Sequence, residues 1–136
     1  MNAGWKAAMA KFILDAYAWI EYFEGSEKGK KVAGIVEDDS NEIFTSSATA
    51  AEVISKFLRA NKDIKIALMG MNSLSTVISV KKEIGFEAGS IHFEAKKANK
   101  EFGMLDAFVL ATARSIGAKI LTGDEDFRPF REAVFI

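Results

Sequence analysis

The sequence predicts an α/β domain in three layers, with helices on both faces of a central, mostly parallel sheet of four or five strands. Three observations predict it. Short apolar runs alternate with amphipathic stretches of helical period, and the connections between them are short. The 136 residues include no Pro-rich, Ser-rich or low-complexity stretch to serve as a linker, so one core is expected. A composition 49% hydrophobic and 27% charged is sufficient to bury that core without disulfide or metal staples.

The elements follow in order. Phe12-Ile13-Leu14, ending in Asp15, is too short for a helix and suits a buried parallel strand. Trp19, Ile20, Tyr22 and Phe23 then cluster as a short amphipathic helix stopped by Gly25-Ser26, and Lys28 to Glu37 reads as a second helix. Asp38 to Asn41 is turn chemistry, and Ile43-Phe44-Thr45 is the second strand. Ala48 to Ala60 places Val53, Ile54, Phe57 and Leu58 on one helical face.

Ile64 to Leu74 reads as a helix, β-branched Thr76 to Val80 as a strand, and Lys82 to Lys100 as a helix weakened by Gly85 and Gly89. Met104 to Ile116 is apolar nearly all round, as in a helix packed inside a domain, with Gly117 placed to cap it. Lys119 to Thr122 is a strand, Gly123 to Asp126 a polar turn, and Ala133 to Ile136 a final edge strand. Residues 1–10 are expected to be an extension, with Met9 an alternative start, and residues 11–136 the domain.

Several chemistries are excluded. With no cysteine there is no disulfide or thiolate-bound zinc, and with His92 the single histidine there is no His-rich metal site. Any metal has to be held mainly by oxygen. The sequence contains neither an apolar run of about 18 residues nor a secretory leader, so no membrane association is expected and the cytoplasm is the expected location. A net charge of −1 neither advertises nor forbids a nucleic-acid partner.

In an open α/β sheet, ligands bind beyond the carboxyl ends of the strands. Asp15 leaves the first strand, Asp124 and Asp126 leave the strand ending at Thr122, and Asp106 opens the most hydrophobic helix. Like charges brought together there need a cation, and Mg²⁺ or Mn²⁺ is the natural choice for an all-oxygen site. Each acid also has a plainer reading. Asp15 suits a helix N-cap, Asp106 the positive end of its helix, and Asp124 and Asp126 a turn. Glu52 falls opposite the apolar stripe of its helix, a solvated position.

Four segments carry a resemblance. Phe12-Ile13-Leu14-Asp15 through Phe23 resembles the opening motif of PIN-domain nucleases, and Thr49-Ala50-Ala51-Glu52-Val53 the second acidic motif of that family. Gly103-Met104-Leu105-Asp106 through Ala113, then Leu121-Thr122-Gly123-Asp124-Glu125-Asp126-Phe127, resemble the third and fourth. The resemblance implies a PIN-like α/β/α fold and a cluster of Asp15, Glu52, Asp106, Asp124 and Asp126 binding one or two Mg²⁺ or Mn²⁺ ions, with Glu52 included by analogy alone. It also implies RNA phosphodiester hydrolysis giving 5′-phosphate and 3′-hydroxyl ends, with Thr122 orienting a carboxylate.

The chain is most similar to single-domain toxins of VapC type, which implies a small antitoxin partner and a homodimer. It departs from the pattern at Tyr17, where many relatives carry a small hydroxyl residue. Arg114, Arg128, Arg131 and the Lys28, Lys30, Lys31 group are candidate phosphate contacts. The Trp19, Tyr22, Phe23 stripe reads as core, partner interface or base-stacking surface. Two alternatives stand beside the ribonuclease: a non-catalytic PIN-fold module that binds RNA or protein, and a Mg²⁺-dependent phosphatase or phospho-accepting domain. The latter folds usually place a second carboxylate two residues after the first strand's Asp, where Tyr17 stands, or immediately before that strand.

Overall fold

A computed structural model describes residues 10–136. The extension expected over residues 1–10, Met9 included, lies outside the described residues except for Ala10. Strands β1 (Ala10–Leu14), β2 (Asn41–Ser46), β3 (Thr76–Ile78), β4 (Lys119–Thr122) and β5 (Ala133–Phe135) form one five-stranded sheet in the order β3-β2-β1-β4-β5. All four pairings are parallel, with Ile13 level with Phe44 on one side and Ile120 on the other. Helices α1 (Ala16–Glu24), α2 (Glu27–Val36), α3 (Ser47–Arg59), α4 (Ile64–Leu74), α5 (Lys82–Ala98) and α6 (Met104–Ile116) connect them.

Side-chain alternation along the strands makes two cores from one sheet. Ile13 and Ile120 point to the face covered by α5 and α6, where Ala88, Ile91, Ala107, Leu110 and Phe127 are buried. Leu14, Ile43 and Leu121 point to the other face, against Trp19, Val32, Val53, Phe57, Ala67 and Met71 of α1 to α4. Trp19 is fully buried, donates from Nε1 to Thr45 Oγ1 at 3.0 Å and stacks on Phe23 at 5.5 Å between centroids. This takes Trp19 out of the base-stacking option, because a ring sealed inside the core meets no base, while Tyr22 and Phe23 are half-buried.

The chain builds outward from β1 through β2 to β3, then returns to lay β4 on the other side of β1. The order of connection therefore reverses between β1 and β4, and a crevice opens beyond their carboxyl ends. Two helix starts carry serine caps: Ser26 Oγ accepts from Gly29 N at 3.0 Å and Ser46 Oγ from Ala48 N at 3.2 Å. Gly25 and Gly117 end α1 and α6 in the left-handed conformation that glycine adopts without strain.

Two expectations change. Leu58 does not join the buried stripe of α3 and is 57% exposed, because Val53 and Phe57 already meet the core. Likewise α6 is not enclosed along its whole length, since Met104 and Leu105 in its first turn are exposed. No helix of the described residues is long and apolar enough to cross a membrane.

Candidate active site

Asp15 is the first residue after β1 and the N-cap of α1, buried to 5% exposure. One carboxylate oxygen accepts from Ala18 N at 2.9 Å, and the other accepts a short hydrogen bond from Thr122 Oγ1 at the end of β4. Burial pushes the Asp15 carboxyl up to about 7 against the pull of these two donors, and the charges of Asp124 and Asp106 push the same way. N-cap and site residue are thus the same side chain, with one oxygen serving each role.

Asp106 is the third residue of α6, and its carboxylate accepts from Gly103 N at 3.1 Å. Glycine at the N-cap has no side chain to offer, so this bond alone ties the helix start. Burial again raises the carboxyl, to about 6, helped by Asp124, Asp126 and Glu52 and opposed by the Gly103 donor. Asp124 heads the 3₁₀ turn Glu125–Phe127, its amide donating to Thr122 Oγ1 at 2.9 Å and its carboxylate accepting from Asp126 N at 2.9 Å. Asp126 is oriented from the opposite side by Asn99 Nδ2, at 2.9 Å.

One carboxylate oxygen each from Asp106, Asp124 and Asp126 lies within 4.8 Å of the others. Three acids this close, all oxygen and half-buried, fit a hard divalent cation, which would relieve the repulsion that lifts Asp106. Asp15 adjoins this triad through Thr122, whose hydroxyl donates to Asp15 and accepts from Asp124 N. Glu52 stands farther off. It pairs with Lys56 at 3.4 Å and reaches Asp106 through its field. Its side chain is 28% exposed, so the solvated position suggested by periodicity is only partly realised.

The predicted phosphate contacts separate. Arg114 lies eight residues beyond Asp106 on α6, about 12 Å along the axis. It pairs with Glu132 at 2.8 Å and lines the same groove as Asn99 and Asp126. Arg128 pairs with Glu125 at 3.0 Å and lies 3.7 Å over the Phe135 ring, while Lys30 pairs with Glu27 at 2.9 Å. Lys31 and Arg131 are exposed, and His92 is half-buried on α5. Lys28 donates to the Tyr17 hydroxyl at 2.9 Å, a bond that raises the ammonium pKa.

Asn99 escaped the sequence reading. The sequence places it inside a helix running to Lys100, whereas α5 ends at Ala98 and Asn99 is its C-cap. Beside the triad, a groove of about 460 Å³ runs between α5, α6 and Pro129-Phe130, touching Asn99 and Asp126 but none of Asp15, Asp106 or Asp124. The triad is half-buried and Asp15 is buried, with Asp126 at the margin of the groove.

Comparison with known proteins agrees with this geometry. The family model described as PIN domain matches residues 12–133. No curated protein sequence matches the chain. Among solved structures, a toxin-antitoxin complex from Klebsiella pneumoniae is similar with a TM-score of 0.72 and 20% identity, over 90% of this chain and 94% of that one. VapC20 of Mycobacterium tuberculosis, described as a sarcin-ricin loop cleaving toxin, gives 0.70 and 16%, over 87% and 93%. DNA-bound VapBC from Salmonella typhimurium gives 0.69 and 21%, over 94% and 98%.

Proposed function

The chain belongs to the PIN-domain family, and from that premise we propose that it is a divalent-metal-dependent endoribonuclease, the toxin of a toxin–antitoxin pair. The observation that carries the proposal is the all-oxygen, half-buried triad of Asp106, Asp124 and Asp126, adjoined by buried Asp15. These four residues would hold Mg²⁺ or Mn²⁺, with Glu52 at the rim. When bound, such an ion lowers the pKa of water in its shell and neutralises charge building on the phosphodiester oxygens.

The chain's own residues prepare that centre. Thr122 fixes Asp15 and Asp124 at once, so two carboxylates from strands far apart in sequence keep one relative position. Asn99 fixes Asp126, and the Gly103 amide fixes Asp106. Asp106, Asp124 and Asp126 are each held by a donor on one oxygen and Asp15 by a donor on each, which still leaves carboxylate lone pairs for a cation. Burial favours protons on Asp15 and Asp106, and these two residues would have to lose them to hold an ion, so binding would be linked to their deprotonation.

Structurally similar proteins of toxin-antitoxin complexes support a small antitoxin as partner. We expect it to cover the acidic edge with an arginine paired to these carboxylates, and the toxin to act in the cytoplasm as a homodimer. The test is incubation with mixed RNA and, separately, with a chromogenic phosphate monoester, each with Mn²⁺ and with chelator. Mn²⁺-dependent RNA cleavage with the monoester untouched is the expected result. Hydrolysis of the monoester alone would establish a phosphatase, and RNA binding without cleavage a non-catalytic module.

A further inference from the structure

We propose that Lys28, held in place by Tyr17, grips an RNA phosphate flanking the scissile one; the proposal rests on the ribonuclease reading above. Tyr17 stands in the first turn of α1, two residues after Asp15. Its ring lies directly on Gly123, where a built Cβ would come within 2.7 Å of Cδ1 and 2.8 Å of Cζ. Gly123 separates Thr122, the residue that bonds Asp15, from Asp124. The ring therefore forms a lip along the acidic centre, and only glycine lets it lie there.

Lys28 reaches over from α2 to that lip. Its Nζ donates to the Tyr17 hydroxyl at 2.9 Å and lies 5.1 Å from the ring centroid. Lys56 pairs with Glu52, Arg128 with Glu125 and Lys30 with Glu27, while Lys31 is exposed. The bonded partner of Lys28 is instead a neutral phenol. Glu21 and Glu125 attract it only at longer range. An ammonium has three donors, so charge and hydrogen-bonding capacity remain on offer to an anion.

The energetics favour such a residue at this place. A cluster of acids repels a polyanion, and phosphates on either side of the cut need positive charge nearby. An ammonium already oriented by the tyrosine loses less freedom on binding than a free lysine chain. As a compact point charge, Lys28 sets affinity and register without reading bases. Tyr17 is a positioning residue that acts through Lys28. The large ring at the family's small-hydroxyl position thereby has a purpose in this chain.

The test uses the intact chain and a short, fluorescein-labelled, single-stranded RNA of mixed sequence, with binding followed by anisotropy in chelator across a salt series. Lys28→Ala should weaken binding about tenfold and flatten the slope of log affinity against log salt by about 0.7, the loss of one phosphate contact. Lys28→Arg should restore both, and Tyr17→Phe should weaken binding about threefold through the lost hydroxyl. Lys97→Ala, which removes an equal charge from α5, should leave both unchanged. In Mn²⁺-dependent cleavage, Lys28→Ala should raise KM and leave kcat within about twofold. Wild-type affinity and slope in Lys28→Ala, with RNA still cut by the unaltered protein, would overturn the proposal. If the unaltered protein cuts no RNA in Mn²⁺, the ribonuclease reading itself has failed, and the proposal with it.

Discussion

Replacing Asp106 by Asn should make the metal-free protein more stable while destroying its activity. The amide keeps the oxygen that accepts from Gly103 N at 3.1 Å, so the start of α6 stays tied. What disappears is a charge whose oxygen lies within 4.8 Å of those of Asp124 and Asp126. At that separation and an effective dielectric of about 20, each repulsion is worth about 3.5 kcal/mol before solvation is counted. The pKa gives the whole cost of ionisation, burial first and repulsion after it: moving a carboxyl from 3.8 to about 6 corresponds to about 3 kcal/mol. Asp106 is only half-buried, and solvent screening reduces either figure to about 1 kcal/mol.

The sign follows from linkage. A raised carboxyl pKa means that the folded state holds its proton more tightly than the unfolded chain, so the cost of ionisation is absent below pH 3.8 and complete above about 6. At pH 8 in chelator, Asp106→Asn should therefore melt about 3 to 5 °C above wild type, and at pH 4 the gap should close. Excess Mn²⁺ should raise the wild-type midpoint more than that of the variant, because it stabilises the state that binds it. Calorimetry or circular dichroism at both pH values decides the matter. A variant that melts below wild type at pH 8, with a pH-independent gap and equal response to Mn²⁺, would show that this carboxylate is a helix cap and not a metal ligand.

Further expectations concern the supports of the site and the core. Thr122→Val should fold yet lose about 10- to 100-fold in Mn²⁺ affinity or activity, because it removes both the donor to Asp15 and the acceptor for the Asp124 amide; unchanged titration with Mn²⁺ would refute this. Since Asp15 sits at about 7 and Asp106 at about 6, Mn²⁺ affinity should fall steadily as pH drops from 8 to 5, and calorimetric titration should show proton release on binding. Trp19→Phe should cost about 2 to 3 kcal/mol in denaturant melts, from lost ring volume and the missing bond to Thr45, without altering KM. Gly29→Ala should be destabilising by a similar amount, since its Cβ would collide with the Glu21 carbonyl where α1 and α2 cross; wild-type stability would mean that the crossing is free to adjust.

What was legible in the sequence was whatever local pattern decides. Apolar runs located all five strands, and the Gly25 and Gly117 stops located two helix ends, because a strand's burial and a helix's cap are written within a few residues. Asp15, Asp106, Asp124 and Asp126 could be placed on one edge of the sheet because strand ends and helix starts define that edge. Relations set by tertiary approach were not legible. The exposure of Leu58 depends on how far the core extends, and the commitment of Arg114 depends on where Glu132 lies. Glu52 shows the limit most clearly: its angle on α3 is correct from periodicity, but its nearness to Asp106 depends on how α3 and α6 pack. The Asn99 bond to Asp126 and the Lys28 bond to Tyr17 likewise join elements whose distance no local pattern encodes.

The placement of β4 beside β1 has a consequence for the making of the protein. The hydroxyl that fixes Asp15 is 107 residues downstream, and β4 can pair with β1 only after everything between them has been synthesised. A nascent chain that has exposed Asp15, Glu52 and Asp106 still lacks the strand that draws the acids together, while its central strand waits with one edge unpaired. The acidic centre therefore comes into being late, on the emergence of residues 119–126. For a nuclease of the proposed kind, this order of events withholds the assembled centre until residues 119–126 have emerged, and it gives a co-translational partner that interval in which to arrive first.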